Sequence, residues 1–286
     1  MKRLLKFNVL ITCTLCFVFS DLLAQNLSHP IVDAHCHIKT SPDEGSFQTM
    51  DEYFADNESV NVKYLFGITM ASKGNIERMK VKNDSLFSMS KREARFIPVC
   101  SVHPSDTEAA IEELHRIKGL GGKIIKLHPM TQNFPVLGEE TLLVVRTAGE
   151  LGLVILIDGM GNLDQLLELA IVCSNTKIII AHMGVSEFHK LAGFNLFKKS
   201  MPDAFKNLWF DISVTVYLYA GSPYQSQLEW IIKTVGVDRV LFGSDQPAVS
   251  LSDALNAFDK LEFNDSEREK ILFRNAIELL ELPSNR

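Results

Sequence analysis

The chain has 286 residues, 46% of them hydrophobic, and a formal net charge of −6. That is enough chain for a large apolar core, and an acidic balance with no basic block argues against nucleic acid or an anionic membrane surface as partner. Beyond the N-terminal stretch only Cys36, Cys100 and Cys173 remain, widely spaced, which is no disulfide framework and reads as three buried structural thiols.

Taken in chain order, the first segment is a targeting signal. Lys2, Arg3 and Lys6 form a basic start, Val9 to Phe19 an apolar stretch, and Leu22-Leu23-Ala24 a small-residue cleavage site before Gln25. Residues 1–24 are therefore expected to be a secretory signal peptide and the protein to be exported, periplasmic or extracellular. Cleavage removes 24 of the 286 residues, leaving 262; three positive charges and one negative go with it, so the net charge moves from −6 to −8. No membrane partner is expected after cleavage. A length of this order suits an α/β barrel.

From Ile31 onward short apolar runs alternate with longer amphipathic stretches. The runs Ile31–Ile38, Val62–Ala71, Phe96–Pro104, Lys123–His128, Leu153–Asp158, Lys177–Met183, Leu208–Val214 and Arg239–Asp245 are rich in Ile, Val, Leu and Phe. They show little polar alternation, as parallel strands covered on both faces require. Helices are expected between them. Ser105-Asp106-Thr107-Glu108 reads as a cap to Ala109–Lys118, stopped by Gly119; Asn162 opens a helix through Cys173; Asn264-Asp265-Ser266-Glu267 opens the last one. Eight strand–helix units predict a single-domain (β/α)8 barrel over 25–286. An open doubly wound sheet is the alternative, but its Gly-rich turn after the first strand is absent. The long connections Thr40–Asn61 and Ser186–Asn207 leave strand C-terminal ends and are candidates to cover the mouth.

Chemistry-bearing residues recur at those strand ends. In Asp33-Ala34-His35-Cys36-His37 the two imidazoles are i and i+2 on a strand, so they point the same way, as chelation requires. Lys126 and His128 close the fourth run, Asp158 the fifth, His182 the sixth and Asp245 the eighth. In a barrel these converge on one cup. A buried Lys126 needs a partner, and Asp158 on the neighbouring strand is the obvious one. His103 ends the third run near the mouth and is a candidate substrate contact, as are Lys126 and His128. His115 and His189 fall in helical stretches and read as surface residues. His29 lies at the wrong end of the barrel.

The set His-x-His, Lys-Leu-His-Pro, Ala-His-Met-Gly and Phe-Gly-Ser-Asp-Gln-Pro resembles the amidohydrolase superfamily, in its branch of mononuclear-metal hydrolases and decarboxylases, from Ile31 to about Leu282. The resemblance implies His35 and His37 as metal ligands and Asp245 as a ligand that also takes a proton from the attacking water. His182 would polarise the substrate or protonate its leaving group. The cofactor implied is one divalent ion, zinc with manganese or iron as alternatives. The departure is Asp158, where the family usually carries a histidine ligand. Asp158 is counted among the ligands, with two other outcomes open: pairing with Lys126, or loss of tight metal binding. The activity implied is hydrolysis of an amide, ester or lactone of a small molecule. Decarboxylation of a small carboxylic acid on the same cup is the alternative, and a degenerate ligand-binding barrel without turnover the third reading. Homo-oligomers are common among soluble enzymes and one is possible here.

Overall fold

The computed structural model describes residues 29–201 and 203–284; the signal segment expected at 1–24 lies outside them. Eight parallel strands run in sequential order: β1 (Ile31–His37), β2 (Val62–Ile68), β3 (Phe96–Ser101), β4 (Ile124–Leu127), β5 (Val154–Asp158), β6 (Ile178–Ala181), β7 (Leu208–Asp211) and β8 (Val240–Leu241). The barrel closes where β8 meets β1. Ala34 N donates to Phe242 O at 3.0 Å, Asp245 N to His35 O at 2.6 Å and His37 N to Gln246 O at 2.8 Å. With helices between the strands, this is a (β/α)8 barrel.

Two apolar clusters follow from the pleat. One joins outward strand residues such as Leu65, Ile125, Ile155 and Ile180 to the surrounding helices through Leu86, Leu114, Val144 and Leu166. The other fills the barrel interior with Val32, Phe66, Val99, Ile124, Leu156 and Ile179, and is plugged from below by Phe273, Ile277 and Leu280 of the C-terminal helical segment. That segment starts with a capping box, in which Asn264 accepts from Glu267 N and Glu267 accepts from Asn264 N.

β1 departs from a regular strand in a useful way. Asp33 pairs with Leu65 and Cys36 with Gly67, so three steps along β1 match two along β2. The extra residue is a bulge, which re-aims the side chains after it. Val32 and Ala34 face the interior before the bulge; beyond it Cys36 and Ile38 pack outward, leaving His35 and His37 turned in.

Several strands end earlier than the hydrophobic runs suggest. β6 stops at Ala181 because His182, Met183, Gly184 and Val185 all take positive φ. β7 stops at Asp211, with Val214 at φ 58°. β8 is two residues long because Phe242 N donates to Ile271 O instead of a neighbouring strand. The cap expected at 105–108 is also different. Pro104–Asp106 forms a 3-10 turn, Thr107 takes φ 38°, and the helix Glu108–Gly119 starts with no side-chain cap because Asp106 accepts from Gly74 N. The three cysteines beyond the N-terminal stretch are free and buried, as expected.

Candidate active site

The strand ends bring two linked groups together. The first is His35, His37 and Asp245. Asp245 Oδ1 lies 3.3 Å from His35 Nε2 and 3.4 Å from His37 Nε2. Donors held about 2.1 Å from a tetrahedral ion sit about 3.4 Å apart, so these separations fit a shared metal. The backbone is strained to do this, since Asp245 takes φ 65°. Burial opposes ionisation of Asp245, but the imidazoles of His35, His37 and His182 more than offset it and hold its carboxyl near 2.

The second group is built on Asp211, a residue the sequence reading passed over. It is fully buried and uses both oxygens. Oδ2 meets His35 Nδ1 at 2.9 Å, while Oδ1 accepts from His182 N at 3.0 Å, Ser213 N at 3.1 Å and the Ser213 hydroxyl. Burial raises its pKa, and the His35 charge and hydrogen bond reverse this, leaving it well below the usual carboxylate range. An ionised Asp211 requires the proton of His35 on Nδ1, so the Nε2 lone pair faces the cup. This is the carboxylate–histidine arrangement that orients metal ligands. The donor set therefore fits a divalent ion on chemistry as well as spacing.

His182 stacks on His35, with ring centroids 4.7 Å apart. Its Nδ1 lies 3.1 Å from Ser213 O and 2.9 Å from Ser213 Oγ, and its Nε2 faces Asp158 Oδ2 at 3.4 Å. Burial disfavours the imidazolium, but the Asp158 contact and the Asp211 and Asp245 charges prevail and raise its pKa.

Asp158 stands beside these groups. It belongs to neither cluster of converging donors. Its Oδ1 accepts from Met160 N at 3.0 Å and its Oδ2 faces His182 and, at 3.6 Å, His128. Its pKa is depressed despite burial, by His182 first and then by Lys126 and His128. The expected ion pair with Lys126 is also absent among the described residues. The long Lys126 stem instead crosses the buried interior, and Nζ reaches His35 Nε2 at 3.2 Å. Burial lowers its pKa, with Asp158, Asp211 and Asp245 opposing from farther away.

His128 stands at the rim with its side chain 16% exposed, its Nδ1 accepting from Thr131 N at 3.3 Å. Burial brings its pKa down to about 4. His103 is set apart from the cup. Its ring is fully buried, Nε2 meets Gln132 O at 2.7 Å and Nδ1 accepts from Ser105 N at 3.2 Å, so both nitrogens are occupied within the fold. His115 and His189 are exposed.

Asp33 was also missed. It accepts from Tyr53 OH at 2.9 Å, Ser244 Oγ at 2.6 Å, Ser244 N at 2.8 Å and His35 N at 3.3 Å, tying β1 to the turn that carries Asp245. Burial raises its carboxyl to about 6. Of the two long connections, the first reaches the site: Phe47 stacks on His37 with centroids 5.7 Å apart.

Comparison with known proteins bears on the fold and the family. Among solved structures, a 5-carboxyvanillate decarboxylase from Novosphingobium aromaticivorans with bound manganese superposes with a TM-score of 0.67 at 15% identity, covering 89% of this chain and 97% of that one. A 5-carboxyvanillate decarboxylase from Sphingomonas paucimobilis gives 0.68 at 12% identity, covering 90% and 100%. A protein assigned as a 2-pyrone-4,6-dicarboxylic acid hydrolase from Acinetobacter baumannii, with citric acid bound, gives 0.62 at 16% identity, covering 88% and 99%. At these identities the likeness is one of fold. The sequence profile of the amidohydrolase family matches residues 32–282, nearly the whole barrel. With that match over the strands that carry His35, His37, His182 and Asp245, the chain belongs to the amidohydrolase family and is an enzyme.

Proposed function

We propose that the chain is a metal-dependent hydrolase that adds water to the carbonyl of an ester, lactone or amide in a small molecule. The observation that carries this reading is the convergence of Asp245 Oδ1 with Nε2 of His35 and Nε2 of His37, at 3.3 and 3.4 Å, at the ends of β1 and β8. His35, His37 and Asp245 would hold the ion; Asp158, outside that cluster, would not. When bound, a divalent cation polarises a carbonyl and makes water acidic enough to attack near neutral pH.

The chain's own residues divide the remaining work. Asp245 takes the proton released by the attacking water. His182 keeps Nδ1 on Ser213 and offers Nε2 to the leaving group, with Asp158 favouring its protonated form. Asp211 fixes the tautomer of His35 and the backbone of His182 together. His128 is the rim group left for substrate contact; His103 is excluded because its ring has no free nitrogen. Lys126 supports hydrolysis over decarboxylation, since the cation that would grip a departing carboxylate is buried against His35.

The test is a panel of small esters, lactones and amides run beside a panel of aromatic acids monitored for carbon dioxide. Hydrolysis that disappears in His182→Ala while metal content stays constant supports the proposal. Carbon dioxide release without hydrolysis replaces it with decarboxylation, and metal uptake with neither activity replaces it with ligand binding. We also propose that the protein acts after export, on the strength of residues 1–24. N-terminal sequencing of the protein from fractionated cells should begin at Gln25; a start at Met1 refutes this.

A further inference from the structure

His35 and His37 are held in different ways. Asp211 meets Nδ1 of His35, whereas among the described residues no donor or acceptor of the chain meets Nδ1 of His37. A metal-binding imidazole normally takes its orientation from a hydrogen bond at that second nitrogen. For His37 the ring plane is set by packing instead. The His35 ring stands 5.5 Å away and tilted by 53°, while the Phe47 ring lies 5.7 Å away and within 21° of parallel. Phe47 covers a face of the imidazole that the metal cluster leaves open.

The loop that carries Phe47 is folded around Glu44. Ile38 pairs with Gln48, and Lys39 N donates to Gln48 O at 2.9 Å, so the loop leaves and returns at one place beside His37. Within it, Glu44 Oε2 accepts from Thr40 N, Thr40 Oγ1 and Ser41 N at 2.7, 2.8 and 3.1 Å. The Glu44 carbonyl accepts from Phe47 N at 3.1 Å, so the turn after Glu44 sets where the Phe47 ring falls. Oε1 receives Lys82 Nζ at 2.6 Å from the helix Ile76–Arg92, and both side chains of this pair are only 11% exposed. Lys82 Nζ also reaches Met70 O at 3.4 Å, just past the end of β2. A pair this dry adds little net stability, but removing one partner leaves the other charge buried and uncompensated. It therefore ties the loop to the barrel in one arrangement. None of the proposed chemistry uses either residue.

We propose that Glu44, clamped by Lys82, is a positioning residue: it seats Phe47 on His37 and thereby holds that imidazole in the plane from which Nε2 meets the ion. The consequence for the ion rests on the metal reading above; the seating of Phe47 does not, and two measurements on the full chain separate them. The first is the position of the His37 ring protons in the nuclear magnetic resonance spectrum of metal-free protein, where a stacked ring displaces them. They should differ between wild type and Phe47→Leu. Glu44→Gln and Lys82→Met should both move them to the Phe47→Leu position, and Lys82→Arg should keep them at the wild-type one. The second is zinc affinity in competition with a chromogenic chelator. Phe47→Leu should weaken it about five-fold, the scale of one stacked ring pair. Glu44→Gln should weaken it equally and add nothing in the Phe47→Leu background, because a residue that acts through another has no effect in its absence. His37 protons that stay at the wild-type position in Glu44→Gln, displaced protons with unchanged zinc affinity, or losses that add in the double variant would each overturn the proposal. If Glu44→Gln does not fold, Lys82→Met alone and with Phe47→Leu decides by the same criteria. A chain whose His37 protons respond as expected but which takes up no zinc refutes the metal reading and leaves the seating of Phe47 by Glu44 standing.

Discussion

A single carboxylate, Asp211, touches both histidines on which the proposed chemistry depends. It fixes the His35 ring through Nδ1 and the His182 backbone through the other oxygen. Replacing it with asparagine removes the charge that holds the proton on His35 Nδ1, and metal affinity should fall about 10- to 100-fold in competition with a chromogenic chelator. Unchanged affinity would remove Asp211 from the site's support. Asp158→Asn should behave oppositely. Metal content should stay within about two-fold while kcat drops about ten-fold or more, because His182 loses the charge that favours its acidic form. Loss of the metal instead would return Asp158 to the ligand set. His35, His37, His182 and Asp245 were legible because each closes an apolar run. Asp211 closes one too, but Ile212 and Val214 extend the apolar pattern and hide the strand's end. The Lys126–Asp158 pair was a sound expectation from neighbouring strands. It fails because a lysine stem is long enough to cross to β1, which strand adjacency does not express.

At the scale of elements, the seam between β1 and β8 determines the site. Gly243 lies in that seam, where an added Cβ would sit 2.8 Å from His35 Cβ and 3.0 Å from His35 N. Gly243→Ala should therefore destabilise the fold by about 1–3 kcal/mol and weaken metal binding in the same protein, read by urea unfolding and chelator competition. A stable variant with normal metal affinity would show that the seam yields without disturbing His35. The strand order and the barrel were readable from alternating apolar runs and helical stretches. The bulge at Asp33–Cys36 was not, because an extra residue changes side-chain direction without changing composition. Nor were the short ends of β6 and β8, which depend on positive φ values and on a backbone bond to Ile271.

Across the whole molecule, buried titratable groups couple stability to pH. Burial, with Lys126 adding to it at His35, holds both His35 and His128 near 4. The unfolded chain protonates both near 6.5, so it binds more protons over that interval and stability falls as pH drops from about 6.5 to 4. Asp33 and His182 act in the other direction: Asp33, at about 6 in the fold, and His182, raised in the fold, are each protonated before their unfolded counterparts and partly offset the loss. The net change for metal-free protein should be on the order of 3 kcal/mol, seen as a lower urea midpoint at pH 4.5 than at pH 7. A midpoint that does not move would mean the histidines are not held neutral. No helix among the described residues is long and apolar enough to cross a membrane. The seam has one more consequence, which concerns timing. His35 and His37 emerge from synthesis more than two hundred residues before Asp245, and the backbone bonds that bring them together join the first strand to the last. Under the proposed metal reading, a nascent or partly threaded chain would own two ligands but no cup, and could take up an ion only after its final strand had arrived.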